Sequence, residues 1–195
     1  MKPSPRVLKN KFIVLEGLSG SGKTTVAKLL AKKLHAASFK TPSGSFAAVR
    51  EIIDNTSLSP SARAFFYLGG ILDSSEAIKT LLKKRTVVCD RYFLTTYCYH
   101  KAIGADFSLA SADFIKKIKK PDITFLITCE EHERRRRLGI RGMSHNDKQE
   151  IKLHSDRKFL REYRKFSPVE IDNTTRDVHH AVEKIISILS NNFSQ

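Results

Sequence analysis

The stretch Phe12–Thr25, FIVLEGLSGSGKTT, constrains this chain more than any other. Phe12-Ile13-Val14-Leu15 is a short, β-rich, uninterrupted apolar run, the pattern of a strand buried on both faces. Gly17-Leu18-Ser19-Gly20-Ser21-Gly22-Lys23-Thr24 follows and fits G-x-x-x-x-G-K-[ST] without a mismatch. Behind it, Val26, Leu29, Leu30 and Leu34 recur at helical spacing, with Lys28, Lys32 and Lys33 between them. The motif therefore joins a strand to a helix. Glycines permit a loop whose N–H groups converge on phosphate oxygens, and the helix N-terminus adds its positive end. Gly17, Ser19, Gly20, Ser21, Gly22, Lys23, Thr24 and Thr25 are expected to hold a nucleoside triphosphate. Lys23 would reach its β- and γ-phosphates, and the Thr24 hydroxyl would ligate Mg²⁺.

A chain of 195 residues suits one α/β domain with an ample core. The expected division is a flexible basic N-terminus over 1–11 and a single domain over 12–192. No apolar run approaches the ~18 residues that cross a bilayer. The N-terminal stretch lacks the apolar segment of a secretory signal and is short and poor in Ser and Arg for a transit peptide. Cys89, Cys98 and Cys129 are odd in number and match no zinc spacing, so all three read as reduced, structural thiols in a cytoplasmic protein. The net charge of +15 is compatible with nucleic acid, but also with an enzyme whose two substrates are polyanions. No zinc finger or RNP-type aromatic motif accompanies the basic residues, which disfavours nucleic acid.

Further strands are expected at Ser38–Thr41, Thr86–Cys89, Ile123–Thr128 and Val169–Asp172. Helices are expected at Ala47–Asp54, at Ala62–Lys84 with a break at Gly69-Gly70, at Phe93–Ile103, and at Ser111–Lys119. Glu130–Leu138, running into the Gly139–Gly142 break, Asn146–Phe166 and Val178–Leu189 complete the set. Strands alternating with helices imply a five-stranded parallel sheet of the P-loop NTPase type, with ligands gathered at the carboxyl ends of the strands.

Asp90-Arg91 ends a buried strand opposite the phosphate loop. The carboxylate there is placed to hold Mg²⁺ or orient Lys23, and the guanidinium to clamp a phosphate. Arg134, Arg137 and Arg141, spaced three and four apart, share one helix face and would fold over the transferring phosphate. Arg135 and Arg136 read as a solvated face. Gly139, Gly142 and the polar Ser144–Lys148 stretch make 134–148 a candidate mobile lid.

In this order and spacing the chain resembles the thymidylate kinase family of nucleoside monophosphate kinases, over nearly its whole length. The markers are Glu16-Gly17, Asp90-Arg91-Tyr92, Lys120-Pro121-Asp122, the Arg134–Gly142 segment and the helix ending near Tyr163. Within that family it is most similar to the branch holding the mitochondrial-type UMP–CMP kinase, through Lys40-Thr41-Pro42-Ser43, Arg63–Gly69, Ser75-Glu76 and Arg141-Gly142-Met143. The resemblance implies ATP or dATP as donor, Mg²⁺, a pyrimidine nucleoside monophosphate as acceptor, and a homodimer paired through long helices. It implies that Arg91 and Arg50 hold the acceptor phosphate, that Tyr67 or Phe66 stacks on the base, and that Thr95 and Tyr99 line its pocket. At least one aromatic of Phe65–Tyr67 is expected in the core.

Two positions depart from the family pattern. Ser19 stands where these kinases usually carry an Asp near the acceptor sugar, and Ile71 where they usually carry an Arg beside the base. Gly69-Gly70 then points to a roomier or differently shaped acceptor pocket. Two rivals stand beside this reading. One is a kinase of the same fold acting on a hydroxyl acceptor, with Glu16 or Asp90 as base. The other is a nucleic-acid-binding or regulatory P-loop protein.

Overall fold

The computed structural model describes residues 8–108, 112–152, 156–175 and 177–193. Five strands, β1 (Phe12–Glu16), β2 (Ala37–Lys40), β3 (Val87–Asp90), β4 (Ile123–Thr128) and β5 (Val169–Asp172), form one parallel sheet in the order β2-β3-β1-β4-β5. Side chains of β1 alternate between two apolar layers. Ile13 and Leu15 meet Val26 and Leu30 of α1 (Lys23–Lys33) and Val182 and Ile185 of α9 (Val178–Phe193). Phe12 and Val14 meet Ile71 and Ile78 of α3 (Pro60–Leu82) and Tyr92. Burial on both faces is why β1 reads as unbroken apolar sequence. Leu8 is already buried against the first layer, so the packed body begins before Phe12; residues 1–7 lie outside the described residues.

The remaining helices are α2 (Gly44–Asn55), α4 (Phe93–Ala102), α5 (Ala112–Lys117), α6 (Glu131–Arg141), α7 (His145–Lys152) and α8 (Asp156–Arg164). Strands β4 and β5 lie where the sequence places them; β2 and β3 are each offset by one residue. Helix α2 starts at Gly44, earlier than Ala47, and the expected start of α5 at Ser111 lies outside the described residues.

Two expectations about breaks are corrected. Helix α3 runs through Gly69-Gly70. A Cβ on Gly70 would lie 3.2 Å from Pro42 Cβ, and one on Gly69 3.2 Å from the Phe46 ring, so the pair admits a close neighbour rather than bending the helix. Helix α6 continues through Gly139 to Arg141 and stops at Gly142, whose φ of 86° suits a helix end. Of the expected helix over 146–166, α7 and α8 cover most of the described part, and 153–155 lie outside the described residues.

In register, Leu15 stands opposite Asp90 and Lys40 opposite Asp90. Three strands thus end at one level, and the segments leaving them face a common cleft.

Candidate active site

The loop from Gly17 to Gly22 rises from β1 and enters α1 with Gly22 in the left-handed region, φ 90°. It is pressed against α6: a Cβ on Gly20 would meet Arg134 O at 2.8 Å and Leu138 Cγ at 2.9 Å. Lys23 is buried, and its Nζ donates to Leu18 O at 2.5 Å and to Ser21 Oγ at 3.4 Å. Burial, and next the nearby Arg91 guanidinium, push the Lys23 pKa down to about 7.

Thr24 Oγ1 donates to Asp90 Oδ2 at 2.6 Å. Asp90 is buried, and its other oxygen, Oδ1, has no partner among the described residues. A hydroxyl beside a carboxylate with an uncommitted oxygen is a hard-oxygen pair of the kind Mg²⁺ takes, the rest of its shell coming from water and phosphate.

Arg91 occupies φ 70°, a conformation that non-glycine residues adopt at some cost and that recurs at functional sites. Its N–H donates to Leu15 O at 2.9 Å, fixing the turn against β1. Its guanidinium donates to Gly17 O at 3.3 Å, Thr95 Oγ1 at 3.3 Å and Ser19 Oγ at 3.2 Å, so the side chain spans from the phosphate loop to α4. Beneath it Glu16 is fully buried. Its carboxylate accepts the N–H groups of Tyr92 (3.0 Å), Leu94 (3.1 Å) and Thr95 (3.2 Å) and the Thr95 hydroxyl, closing the first turn of α4. Burial raises the Glu16 pKa against the lowering effect of these bonds and of Arg91.

A cavity of about 260 Å³ opens between this turn, α3, α4 and α7, with Ser19, Arg50, Tyr67, Thr95, Tyr99 and Ile71 in its wall. Arg50 Nε donates to Tyr67 Oη and to Asp54 Oδ2, both at 3.2 Å, and Tyr67 Oη donates to Asp54 Oδ1 at 2.5 Å. Burial pushes the Tyr67 phenol up to about 12, which keeps it a donor. Asn146 of α7 donates to the same Asp54 at 2.8 Å, linking α7 to α2 across the cavity mouth. His100 is buried in the wall; its Nδ1 lies 2.7 Å from Thr96 O, and burial lowers its pKa to about 4.

The arginines of α6 divide by face. Arg134 is buried under the phosphate loop, donating to Ser19 O at 2.9 Å and to Glu150 at 3.0 Å. Arg137 pairs with Glu133 and donates to Asn173 O (2.9 Å), Thr174 O (3.2 Å) and Thr175 O (3.0 Å). Arg141 meets Asp147 at 2.6 Å. Arg135 and Arg136 point outward, each paired to a glutamate of its own helix, as a solvated face would.

Residues 15–185 match the family described as thymidylate kinase. The chain belongs to the thymidylate kinase family. It is an enzyme, a phosphotransferase of the nucleoside monophosphate kinase type, and the family uses ATP. A probable thymidylate kinase of Methanocaldococcus jannaschii is 33% identical over 192 residues, covering 95% of this chain and 98% of its own. One from Methanococcus maripaludis is 30% identical, covering 92% and 95%. Among solved structures, the thymidylate kinase of Candida albicans superposes with a TM-score of 0.74 at 19% identity, over 93% of this chain and 92% of that one. That of Ehrlichia chaffeensis gives 0.68 at 23%, over 93% and 98%. These two establish the fold.

Seen as a thymidylate kinase family member, the chain brings Lys23, Thr24, Asp90, Arg91, Arg50, Tyr67, Thr95 and Tyr99 to one cleft. Thr25 lies exposed on α1. Several readings change. Phe66 packs on Phe46 and Tyr67, away from the cavity wall. Arg134 and Leu138 are buried, so the first half of the proposed lid is packed against the phosphate loop. Gly69-Gly70 admits Pro42, which lines the cavity, and Phe46, so the pair shapes the wall rather than adding room. Glu16, offered as a base, is sealed in the core with its oxygens committed. Sequence reading missed Glu150, Asp54 and Asn146, which sit in charged or polar runs without a motif. Cys89 and Cys98 are buried and Cys129 is half-buried, and none of the three is in a disulfide.

Proposed function

We propose that this thymidylate kinase family member transfers the γ-phosphoryl group of ATP to a pyrimidine nucleoside monophosphate, dTMP foremost. One observation carries the reading. Arg91 is anchored on the phosphate loop through Gly17 and Ser19 and faces a cavity that also holds Arg50, so a second anion site adjoins the first.

Phosphoryl transfer of this kind depends on positioning and charge stabilisation. Lys23 and the loop N–H groups hold the donor's phosphates. Thr24 and Asp90 would hold Mg²⁺, which would supply positive charge to offset the negative charge of the donor's phosphates. Arg91 and Arg50 hold the acceptor phosphate in line with the donor. That phosphate is already ionised near neutral pH, and no base is required, in accord with the sealed position of Glu16. Arg137 and Arg141 stabilise charge that develops during transfer, and Arg134 acts through the loop it supports. The apolar Ile71 in the cavity wall supports a range wider than dTMP, extending to dUMP, dCMP, UMP and CMP as in the UMP–CMP kinase branch. Unpaired cysteines support a cytoplasmic location, and the family resemblance supports a homodimer, which light scattering would measure.

A coupled ADP-release assay across these monophosphates and their nucleosides tests the proposal. Turnover is expected with monophosphates and greatest with dTMP, and Lys23→Ala abolishes it. Turnover with nucleosides alone overturns the acceptor class; wild-type rates in Lys23→Ala overturn the donor site.

A further inference from the structure

Ser19 joins two groups of opposite charge. Its hydroxyl accepts from Arg91 Nη2 at 3.2 Å, and its N–H donates to the Glu150 carboxylate at 3.0 Å to Oε1 and 3.3 Å to Oε2. Glu150 comes from α7, on the far side of the cavity, and is buried although it forms part of the cavity wall. Arg134 Nη1 also reaches Oε1, at 3.0 Å. Among the described residues Oε2 takes only the longer Ser19 bond, and an ionised carboxylate has about four lone-pair sites. The other carboxylate in the wall, Asp147, is committed to Arg141 Nη2 at 2.6 Å and to the Ser144 N–H at 2.8 Å.

We propose that Glu150 reads the acceptor's sugar: its Oε2 accepts a hydrogen bond from a sugar hydroxyl when the attached phosphate is held by Arg91. Arg91 and Glu150 meet at the same residue, so a monophosphate on the guanidinium brings its sugar against the carboxylate. The sugar there offers hydroxyl donors and the carboxylate only acceptors. Of the hydroxyls beside Arg91, Thr95 Oγ1 donates to Glu16 and accepts from Arg91 and Tyr163, and Ser19 Oγ accepts from Arg91, so neither offers the acceptor-only chemistry of the carboxylate. A buried carboxylate that loses its hydroxyl partner is penalised, so the site selects for the hydroxyl. The inference rests on the acceptor being a nucleoside monophosphate.

Steady-state kinetics with dTMP and its 3′-deoxy analogue, and with UMP and dUMP, separates the alternatives. Wild type is expected to prefer one hydroxylated acceptor over its deoxy partner by roughly ten- to a hundredfold in kcat/KM. In Glu150→Gln that preference collapses through a higher KM for the hydroxylated acceptor, while the deoxy analogue changes much less. Glu150→Asp restores part of the preference. If Glu150 only clamps α7 to the loop, Glu150→Gln slows both members of each pair equally and the preference survives, which overturns the proposal. Thermal unfolding and fluorescent ATP-analogue binding are measured on both variants; a variant that has lost either is replaced in the comparison by the other. A wild type that phosphorylates no monophosphate refutes the acceptor class itself, a result distinct from an unchanged preference.

Discussion

The Glu16 carboxylate, at the last residue of β1, accepts the Tyr92 N–H at 3.0 Å and so ties the central strand to the start of α4. The residue that precedes the phosphate loop is therefore also the cap of the helix that carries Thr95 and Tyr99.

Replacing Glu16 by Gln should loosen both sides at once. The amide turns one acceptor into a donor facing N–H groups, a mismatch worth about 1–3 kcal/mol. Chemical denaturation should show that loss, with kcat/KM reduced for every acceptor alike. Unchanged stability would mean the cap bonds contribute little.

The depressed pKa of Lys23 predicts proton uptake when ATP binds. Below pH 7 the amine is already charged and nothing is taken up. Above pH 7 it is mostly neutral in the free protein, and the polyphosphate draws the proton back. Uptake should approach about one proton near pH 8–9, and ATP affinity should weaken as pH rises through 7. Calorimetry in buffers of different ionisation enthalpy measures this directly; no uptake at pH 8 would contradict it.

His100 carries an acid liability. Its folded pKa near 4 lies below the ordinary 6.5, so the unfolded chain binds more protons between those values and stability falls as pH drops through them. The loss attributable to this ring is on the order of 3 kcal/mol at pH 4. Unfolding curves of wild type and His100→Gln should diverge in slope over pH 6.5–4, the variant being flatter. Parallel curves would remove His100 from the acid response.

Arg91 touches both the loop and the cavity. Arg91→Ala should raise the acceptor KM and lower kcat together, reducing kcat/KM roughly a hundredfold or more. Arg91→Lys should recover little, because an ammonium cannot span Gly17, Ser19 and Thr95 at once. Unaltered acceptor kinetics in either variant would exclude it from the acceptor site.

The phosphate loop, Asp90 and Arg91 were legible in the sequence because each sits at a motif or at the end of an apolar run, where local pattern and position in the sheet agree. β4 and β5 were legible for the same reason. The glycines of α3 misled because a Gly pair inside a helix has two physical causes, a bend or a close neighbour, and only the position of Pro42 and Phe46 decides between them. Arg134 misled in another way. Its spacing from Arg137 and Arg141 places it on a face turned to the transferring phosphate, yet its guanidinium is enclosed by Ser19 and Glu150, and Ser19 lies far away in the sequence. Glu150, Asp54 and Asn146 carried no local signal at all, since their meaning depends on how α7 lies over the cleft.

The approach of Gly70 to Pro42 has a mechanical consequence. Where a helix backbone packs directly on a proline ring and the root of a phenylalanine, the gauge of the chamber beside them is set by main-chain position more than by rotamers. A single methyl group at Gly70 would act as a wedge, levering α2 outward and carrying Arg50 away from its counterpart on the opposite wall. Acceptor binding would then suffer from a change that touches no ligand.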